Sequence, residues 1–447
     1  MKHTIIIGNG ISGTTTARWI RKLSDQKITI ISSESKYFYS RTALMYIYMG
    51  HMKHEDTKPY EDWFWNKNRI ELINDHVESI DFESSQLTLK TGSPIKYDNL
   101  VLALGSKSNK FGWPGQDLKA VSGLYNLQDL EQMEKYSDNL NRAVICGGGL
   151  IGLEMAEMFH SRNIPVTMVV REHSYWNNVL PAEESKMISD HILKNHIDLR
   201  LGVNLGEIKG DDTGTVKSII IKETKEEIPC GFVGLTAGVS PNVDWLKESN
   251  LSIERGILVD NNLKTNISNV YAVGDCAQLK VPLPGRRNIE AIWYTGRMMG
   301  ETVAYNICNK LVSYDPGIWF NSAKFLDIEY QVYGHISNKI DEATESLFWK
   351  HSDNEKSVRI NFNKSDNSVT GFNLMGIRYR HEVCQKWLKE KTHIEDVLKN
   401  LSLANFEPEF YKTYESQIVA LYNQKTGKSL KVNSKRGLSS VLNFLKL

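Results

Sequence analysis

A chain of 447 residues is longer than one ordinary domain and predicts two or three, and its hydrophobic content of 41% is enough for buried cores. Its 54 basic and 53 acidic side chains nearly cancel, so composition gives no reason to expect nucleic acid or a strongly charged partner. Five scattered cysteines, Cys146, Cys230, Cys276, Cys308 and Cys384, contain no C-x-x-C and fit buried thiols in a reducing compartment. No apolar run approaches the ~20 residues that span a bilayer, and Met1–His3 are too short a lead-in to the first predicted strand to be a leader. The expectation is a soluble, cytoplasmic protein.

The first element is a buried strand from Thr4 that runs into Gly8-Asn9-Gly10-Ile11-Ser12-Gly13 and then into a helix-compatible stretch, Thr14–Leu23. Strand, glycine turn and helix start together form the layout that receives a dinucleotide pyrophosphate. Gly8 allows the tight turn, Gly10 lets the backbone approach the phosphates, and Gly13 lets helix and strand pack closely. The open N–H groups and the positive dipole end of the helix face the anion, and Ile11 and Ser12 of the turn are counted with the cofactor-binding residues. Lys27–Ile31 predicts a second strand. Glu34 follows about 20 residues beyond Gly13, where an acid accepts hydrogen bonds from an adenosine ribose.

Tyr37–Gly50 is rich in aromatic and apolar residues and holds a single arginine, Arg41. His51 and His54 could share a helix face, but no carboxylate or cysteine joins them, so a solvated or capping role is expected and no metal site. After Trp63-Phe64-Trp65, Arg69–Lys90 alternates in short pieces (IELIN, VESIDF, QLTLK), which predicts a small antiparallel sheet. Leu100-Val101-Leu102-Ala103-Leu104-Gly105 reads as a buried strand ending in a glycine, and Pro114-Gly115 as a crossover between domains.

The opening pattern then repeats. Ala143–Cys146 predicts a strand, followed by Gly147-Gly148-Gly149-Leu150-Ile151-Gly152 and the helical LEMAEMFHSR. Gly147, Gly149 and Gly152 take the parts of Gly8, Gly10 and Gly13, so two nucleotide sites are inferred. The next strand, Val166–Val170, ends in Arg171-Glu172. An arginine there pairs with a ribose 2′-phosphate and an acid with a free 2′-OH, and Arg171 inclines the reading to NADPH. Phe232–Gly238 predicts a strand closing on Gly238. Val270–Val273 runs into Gly274-Asp275, which brings an acid to a ribityl or phosphate hydroxyl. A helix is expected over Glu290–Cys308, alternating strands from about Tyr314, and helices at Glu382–Lys389, Glu407–Asn423 and Gly437–Leu447.

In order, GNGISG with Glu34, YDNLVLALGS, GGGLIGLEMAE, TAGVSPN and NVYAVGDCA resemble the FAD/NAD(P)-linked reductases of glutathione-reductase-like architecture, the pyridine nucleotide-disulfide oxidoreductases, over roughly residues 4–335. The resemblance implies an α/β fold: two Rossmann-like FAD- and NAD(P)-binding domains plus a C-terminal α+β interface domain. The FAD domain would comprise residues 1–112 and 243–316, the NAD(P) domain 113–242, and the C-terminal domain 317–447. The first fingerprint would hold FAD and the second a nicotinamide nucleotide. Asp275 would meet the ribityl–phosphate region and Arg41 the pyrophosphate, with Val77, Ala103, Leu104 and Gly105 in the same set. Trp293 would lead the helix under the flavin, as in the ferredoxin- and rubredoxin-reductase-like branch. Glu154 would stand near nicotinamide and flavin as a catalytic candidate.

The departures from that family narrow the function. Tyr37–Gly50 carries no cysteine, and a thiolate relay needs an accessible sulfur of low pKa beside the flavin. Disulfide reductase, peroxidase and coenzyme A disulfide reductase activities are therefore rejected. Tyr46 takes the place of a lysine that related ferredoxin reductases hold near the flavin, and is the second catalytic candidate. Leu104 replaces the threonine of the usual Ala-Thr-Gly. The expected activity is FAD-dependent NAD(P)H oxidoreduction with electrons passing to a ferredoxin- or rubredoxin-like carrier or a small-molecule acceptor; a homodimer is compatible with it. Two alternatives remain: a type II NADH dehydrogenase-like quinone reductase with its basic, then apolar, C-terminal segment on a membrane surface, and a flavin-binding redox sensor.

Overall fold

Residues 1–433 are described in a computed structural model, and they divide into two units: Met1–Arg171 with Val203–Pro316, and Glu172–Gly202 with the chain from Gly317 onward. Along the first unit the elements that build its two parallel sheets and the main helices are β1 (His3–Ile7), α1 (Ile11–Leu23), β2 (Lys27–Ile31), β3 (Ile70–Ile73), β4 (Asn99–Leu102), β5 (Val121–Ser122), α2 (Leu127–Ser137), β6 (Ala143–Cys146), α3 (Leu150–Ser161), β7 (Val166–Val170), β8 (Phe232–Leu235), β9 (Val270–Ala272) and α4 (Trp293–Ile307). The strands β1, β4, β6, β7, β8 and β9 are short, mostly apolar runs buried on both faces, the pattern of a parallel sheet covered by helices.

The first sheet runs β9-β4-β1-β2-β3, with every neighbouring pair parallel. Its register aligns the strand ends, with Ile7 opposite both Ile31 and Leu102, and Ala272 opposite Leu102. The first glycine turn, the approach to Glu34, Ala103–Gly105 and Gly274–Asp275 therefore leave the sheet along one edge, where ligands settle in open α/β sheets. The repeated motif builds the same arrangement: β6 lies between β7 and β8, both parallel to it, and β5 follows β8. The fold is α/β with two Rossmann-like lobes, as the family resemblance implied.

Helices α1 and α4 cross closely because α4 carries Gly296 and Gly300 one turn apart. A Cβ at Gly300 would strike the Ser12 carbonyl, and one at Gly296 would reach Ser12 Oγ. The core of this lobe gathers Ile5, Ile6, Ile20, Ile30, Val101 and Val303.

In the second unit, β10 (Phe320–Phe325), β11 (Ile328–Gly334), β12 (Thr344–Lys350), β13 (Ser357–Asn363) and β14 (Val369–Met375) form an antiparallel sheet in the order β10-β11-β14-β13-β12. One face packs its apolar residues, Val358, Ile360, Phe372 and Leu374, with helices His381–Lys389, Ile394–Lys399 and Glu415–Thr426. The other face meets the helix Ala182–Lys194 through the buried Arg359, which bonds Glu184 at 2.7 and 2.8 Å and Glu183 at 2.8 Å.

Three expectations are corrected. The IELIN stretch does not belong to the small antiparallel sheet: Ile70–Ile73 pairs in parallel with β2, while Val77–Asp81, Gln86–Leu89 and Ile95–Lys96 form that sheet alone. The helix expected from Glu407 begins at Glu415, because Glu407 is left-handed (φ 46°) ahead of Pro408. The helix expected from Glu290 begins at Trp293, since the Glu290 carboxylate is tied to Arg286 in the preceding loop at 2.6 Å. The helix expected at Gly437–Leu447 lies outside the described residues. Among those described, no helix is long and apolar enough to cross a membrane.

Candidate functional site

At the common strand edge of the first unit lies a cavity of about 540 Å³. Its wall brings together Gly8, Gly10, Ile11 and Ser12 from the first turn, Glu34, Arg41 and Val77, the strand end Ala103-Leu104-Gly105, and Gly274, Asp275 and Trp293. Ile151 and Glu154, from the helix of the second glycine motif, reach the same wall. Residues far apart in sequence and predicted separately thus share one space.

Both glycine turns have a cradle with room over it. Gly8 has φ 108° and Gly147 φ 141°, conformations that disfavour a side chain. A Cβ on Gly13 would run into the Gly8 carbonyl, and one on Gly152 into the Gly147 carbonyl at 2.5 Å, so these two glycines close the turns from beneath. By contrast, a Cβ on Gly10 or Gly149 meets nothing within 4 Å. Helices α1 and α3 start on those residues without a side-chain cap or an acid in the first turn. That leaves space, N–H donors and the positive helix end for phosphates. The residues present therefore fit a dinucleotide at each turn.

Glu34 is held by four donors. Arg41 Nη1 reaches Oε1 at 3.1 Å and Nη2 reaches Oε2 at 2.7 Å, while the Leu127 N–H and the Tyr39 hydroxyl add to Oε1. Burial works to raise the Glu34 pKa, but the charge and hydrogen bonds of Arg41, then Tyr39 and Leu127, outweigh it and the carboxyl ends below its usual value. Oε2, with one donor, is the better placed of the two oxygens to accept from a ribose. Arg41 also donates to the Tyr125 carbonyl, and its guanidinium lies 4.5 Å from the centre of the Tyr125 ring. Leu127 is the first residue of α2, so the N-terminus of a helix also faces the Glu34 carboxylate.

Asp275 stands at the other end of this network. Ser106 Oγ and the Tyr125 hydroxyl both donate to its Oδ2, each at 3.1 Å. Burial pushes the Asp275 carboxyl above its usual range, against the pull of Ser106, Tyr125 and Arg41. Leu104, where the usual threonine is missing, sends its N–H to Cys276 Sγ at 3.4 Å.

Several predicted residues lie off this wall. Tyr46 sits in the short helix Leu44–Tyr48 with its ring stacked on His51; that helix turns Leu44 and Met45 to the cavity instead. Gly147, Gly149, Leu150 and Gly152 surround the second turn, Gly238 (φ 89°) follows β8, and Arg171 is exposed directly after β7, with Glu172 half-buried beside it in sequence. His54 packs against the Tyr39 ring. Among the described residues, no cysteine lines the cavity. Burial pushes the Cys276 thiol up to about 12, Cys230 to about 12, and raises Cys146 and Cys384.

Tyr39, Ser106 and Tyr125 are functional candidates that sequence reading missed. The available signal was Asn126-x-x-Asp129, a capping box that marks a helix start immediately after Tyr125.

The sequence matches the pyridine nucleotide-disulphide oxidoreductase family over residues 2–300. It is similar to an NADH-rubredoxin oxidoreductase of Clostridium acetobutylicum, 29% identical over 76% of this chain and 83% of that one. A rubredoxin-NAD(+) reductase of Ectopseudomonas oleovorans is 26% identical over 68% and 79%. In structure it resembles the ferredoxin reductase for the CYP199A2 system of Rhodopseudomonas palustris, with a TM-score of 0.76 and 23% identity over 84% and 91% of the two chains.

Proposed function

We propose that this chain, which belongs to the pyridine nucleotide-disulphide oxidoreductase family and is an FAD-dependent NAD(P)H oxidoreductase, hands its electrons directly to a small ferredoxin- or rubredoxin-like carrier. The observation that carries this reading is a flavin-sized cavity whose wall holds the first glycine motif together with Ile151 and Glu154 from the helix of the second, and, among the described residues, no cysteine. When bound, FAD accepts a hydride from the nicotinamide and can release electrons one at a time. The protein's part is to bind, orient and exclude water. Gly10 and the start of α1 take the pyrophosphate, Glu34 the adenosine ribose, Asp275 the ribityl chain, and Ile151 and Glu154 border the nicotinamide. Residues 1–112 with 243–316 act as the FAD lobe, residues 113–242 as the nicotinamide lobe, and the C-terminal unit supports carrier docking. The names of the rubredoxin reductases similar to this chain support the same type of acceptor.

Nicotinamide choice turns on Arg171 and Glu172. Arg171, exposed at the end of β7, supports the use of NADPH, whereas the similar reductases are named for NADH and NAD(+). Anaerobic stopped-flow absorbance with each nucleotide tests the whole reading. Rapid bleaching of a flavin band, followed by re-oxidation on adding a rubredoxin or ferredoxin, is expected; flavin that neither nucleotide reduces would sink it. Arg171→Glu should lower kcat/KM for NADPH relative to NADH by about tenfold, the scale of one charged hydrogen-bonded pair. An unchanged ratio removes Arg171 from the site.

A further inference from the structure

We propose that Tyr125 is a positioning residue of the flavin site, which holds Asp275 in place through its hydroxyl and Arg41 through its ring and backbone carbonyl. The inference rests on the reading of the cavity as the FAD site and adds a residue outside both glycine fingerprints.

Every polar group of Tyr125 is engaged. Its N–H donates to Asp129 Oδ2 at 2.7 Å, within the capping box that starts α2. Its carbonyl accepts from Arg41. Its hydroxyl accepts the Ser106 N–H at 2.7 Å. A backbone N–H can only donate, so the phenolic proton is directed away from Ser106 and towards Asp275 Oδ2. Gly105 makes room for this arrangement: a Cβ there would lie 2.8 Å from the Tyr125 hydroxyl oxygen.

The consequence falls on Asp275. Oδ2 receives both side-chain donors, from Tyr125 and from Ser106 Oγ, so Oδ1 is the oxygen with lone pairs to offer a ligand hydroxyl in the cavity. A buried carboxyl without those donors would be free to rotate and poorly prepared to accept. One tyrosine thus fixes the acid at the ribityl end and the arginine that pairs with Glu34 at the ribose end.

The test is FAD affinity, measured by fluorescence titration of the FAD-depleted full chain, in a double-mutant cycle. Tyr125→Phe keeps the ring over Arg41 and removes only the hydroxyl. It is expected to weaken FAD binding about tenfold, and Ser106→Ala to do the same through the other donor. In an Asp275→Ala background, Tyr125→Phe should change affinity by less than about twofold, because its target is gone. An equal loss in both backgrounds would make Tyr125 a structural residue and overturn the proposal, as would no loss from Tyr125→Phe. Tyr125→Leu, which also removes the ring, should weaken binding further than Tyr125→Phe. If the unaltered chain itself binds no FAD, it is the cavity assignment that fails, and the cycle tells the two failures apart.

Discussion

Within the first glycine turn, Gly10 and Gly13 meet different neighbours, and this difference separates binding from folding. Gly10 has φ −67° and ψ −176°, extended backbone open to any residue, and a Cβ there touches no protein atom within 4 Å. Only a ligand would contest that space. Gly10→Val is therefore expected to fold with an unchanged melting temperature in the FAD-free state, and to lose FAD affinity by about tenfold or more, as overpacking against a fixed phosphate implies. Gly13→Val is expected to fail differently. Its Cβ would strike the Gly8 carbonyl, so β1 and α1 must separate and the fold itself suffers. Thermal melts and the ratio of flavin to protein absorbance distinguish the two. A Gly10→Val protein that retains FAD at the original affinity would show that the turn does not cradle the cofactor.

Between elements, α1 packs tightly against α4, made possible by Gly296 and Gly300. Gly300→Val gains a little helix propensity but drives a branched side chain into the Ser12 carbonyl and the Thr15 and Thr16 side chains. Overpacking of this kind costs about 1–3 kcal/mol, so the apparent melting temperature should fall by at least about 2 °C. Since Ser12 is on the cavity wall, flavin affinity should fall with it. Gly296→Ala should cost less, because it meets a serine hydroxyl that can rotate. A Gly300→Val protein as stable as the unaltered chain would mean that the helices can slide apart freely. The two βαβ units were legible in the sequence because glycine spacing, strand apolarity and the acid after β2 are local signals. What was not legible depends on partners far along the chain. Ile70–Ile73 reads like its antiparallel neighbours, and only pairing with β2 settles its sheet. Tyr125 carries no motif of its own; its role comes from Ser106 and Asp275, which reach it from the segments that follow β4 and β9. Tyr46 was read from family position, but helix register turns Leu44 and Met45 to the wall.

At the scale of the whole molecule, the chain leaves the first unit after Arg171, contributes Glu172–Gly202 to the second and returns at Val203. Beside the rings of Tyr175 and Trp176 on Phe325, that excursion is tied to the C-terminal sheet by an ionic cluster that no sequence pattern announced. Arg359, with a side chain 2% exposed, bonds the fully buried Glu184 and the partly exposed Glu183, and Ser346 Oγ accepts from it at 2.8 Å. Asn373 adds a donor to Glu184 at 3.1 Å. Attraction to the two acids outweighs burial and leaves the guanidinium more basic than usual. Such a cluster is a poor source of net stability but costly to break from one side, because the remaining charge stays buried without its partner. Arg359→Met should therefore destabilise the second unit by about 3–5 kcal/mol, while Arg359→Met combined with Glu184→Met should recover much of the loss. Hydrogen exchange gives the sharper readout. In the single variant, protection should fall together in 172–202 and in the strands β12–β14, since both lean on the same guanidinium. If 172–202 keeps its protection while the strands lose theirs, the excursion is anchored by something other than Arg359, and the cluster merely decorates the sheet.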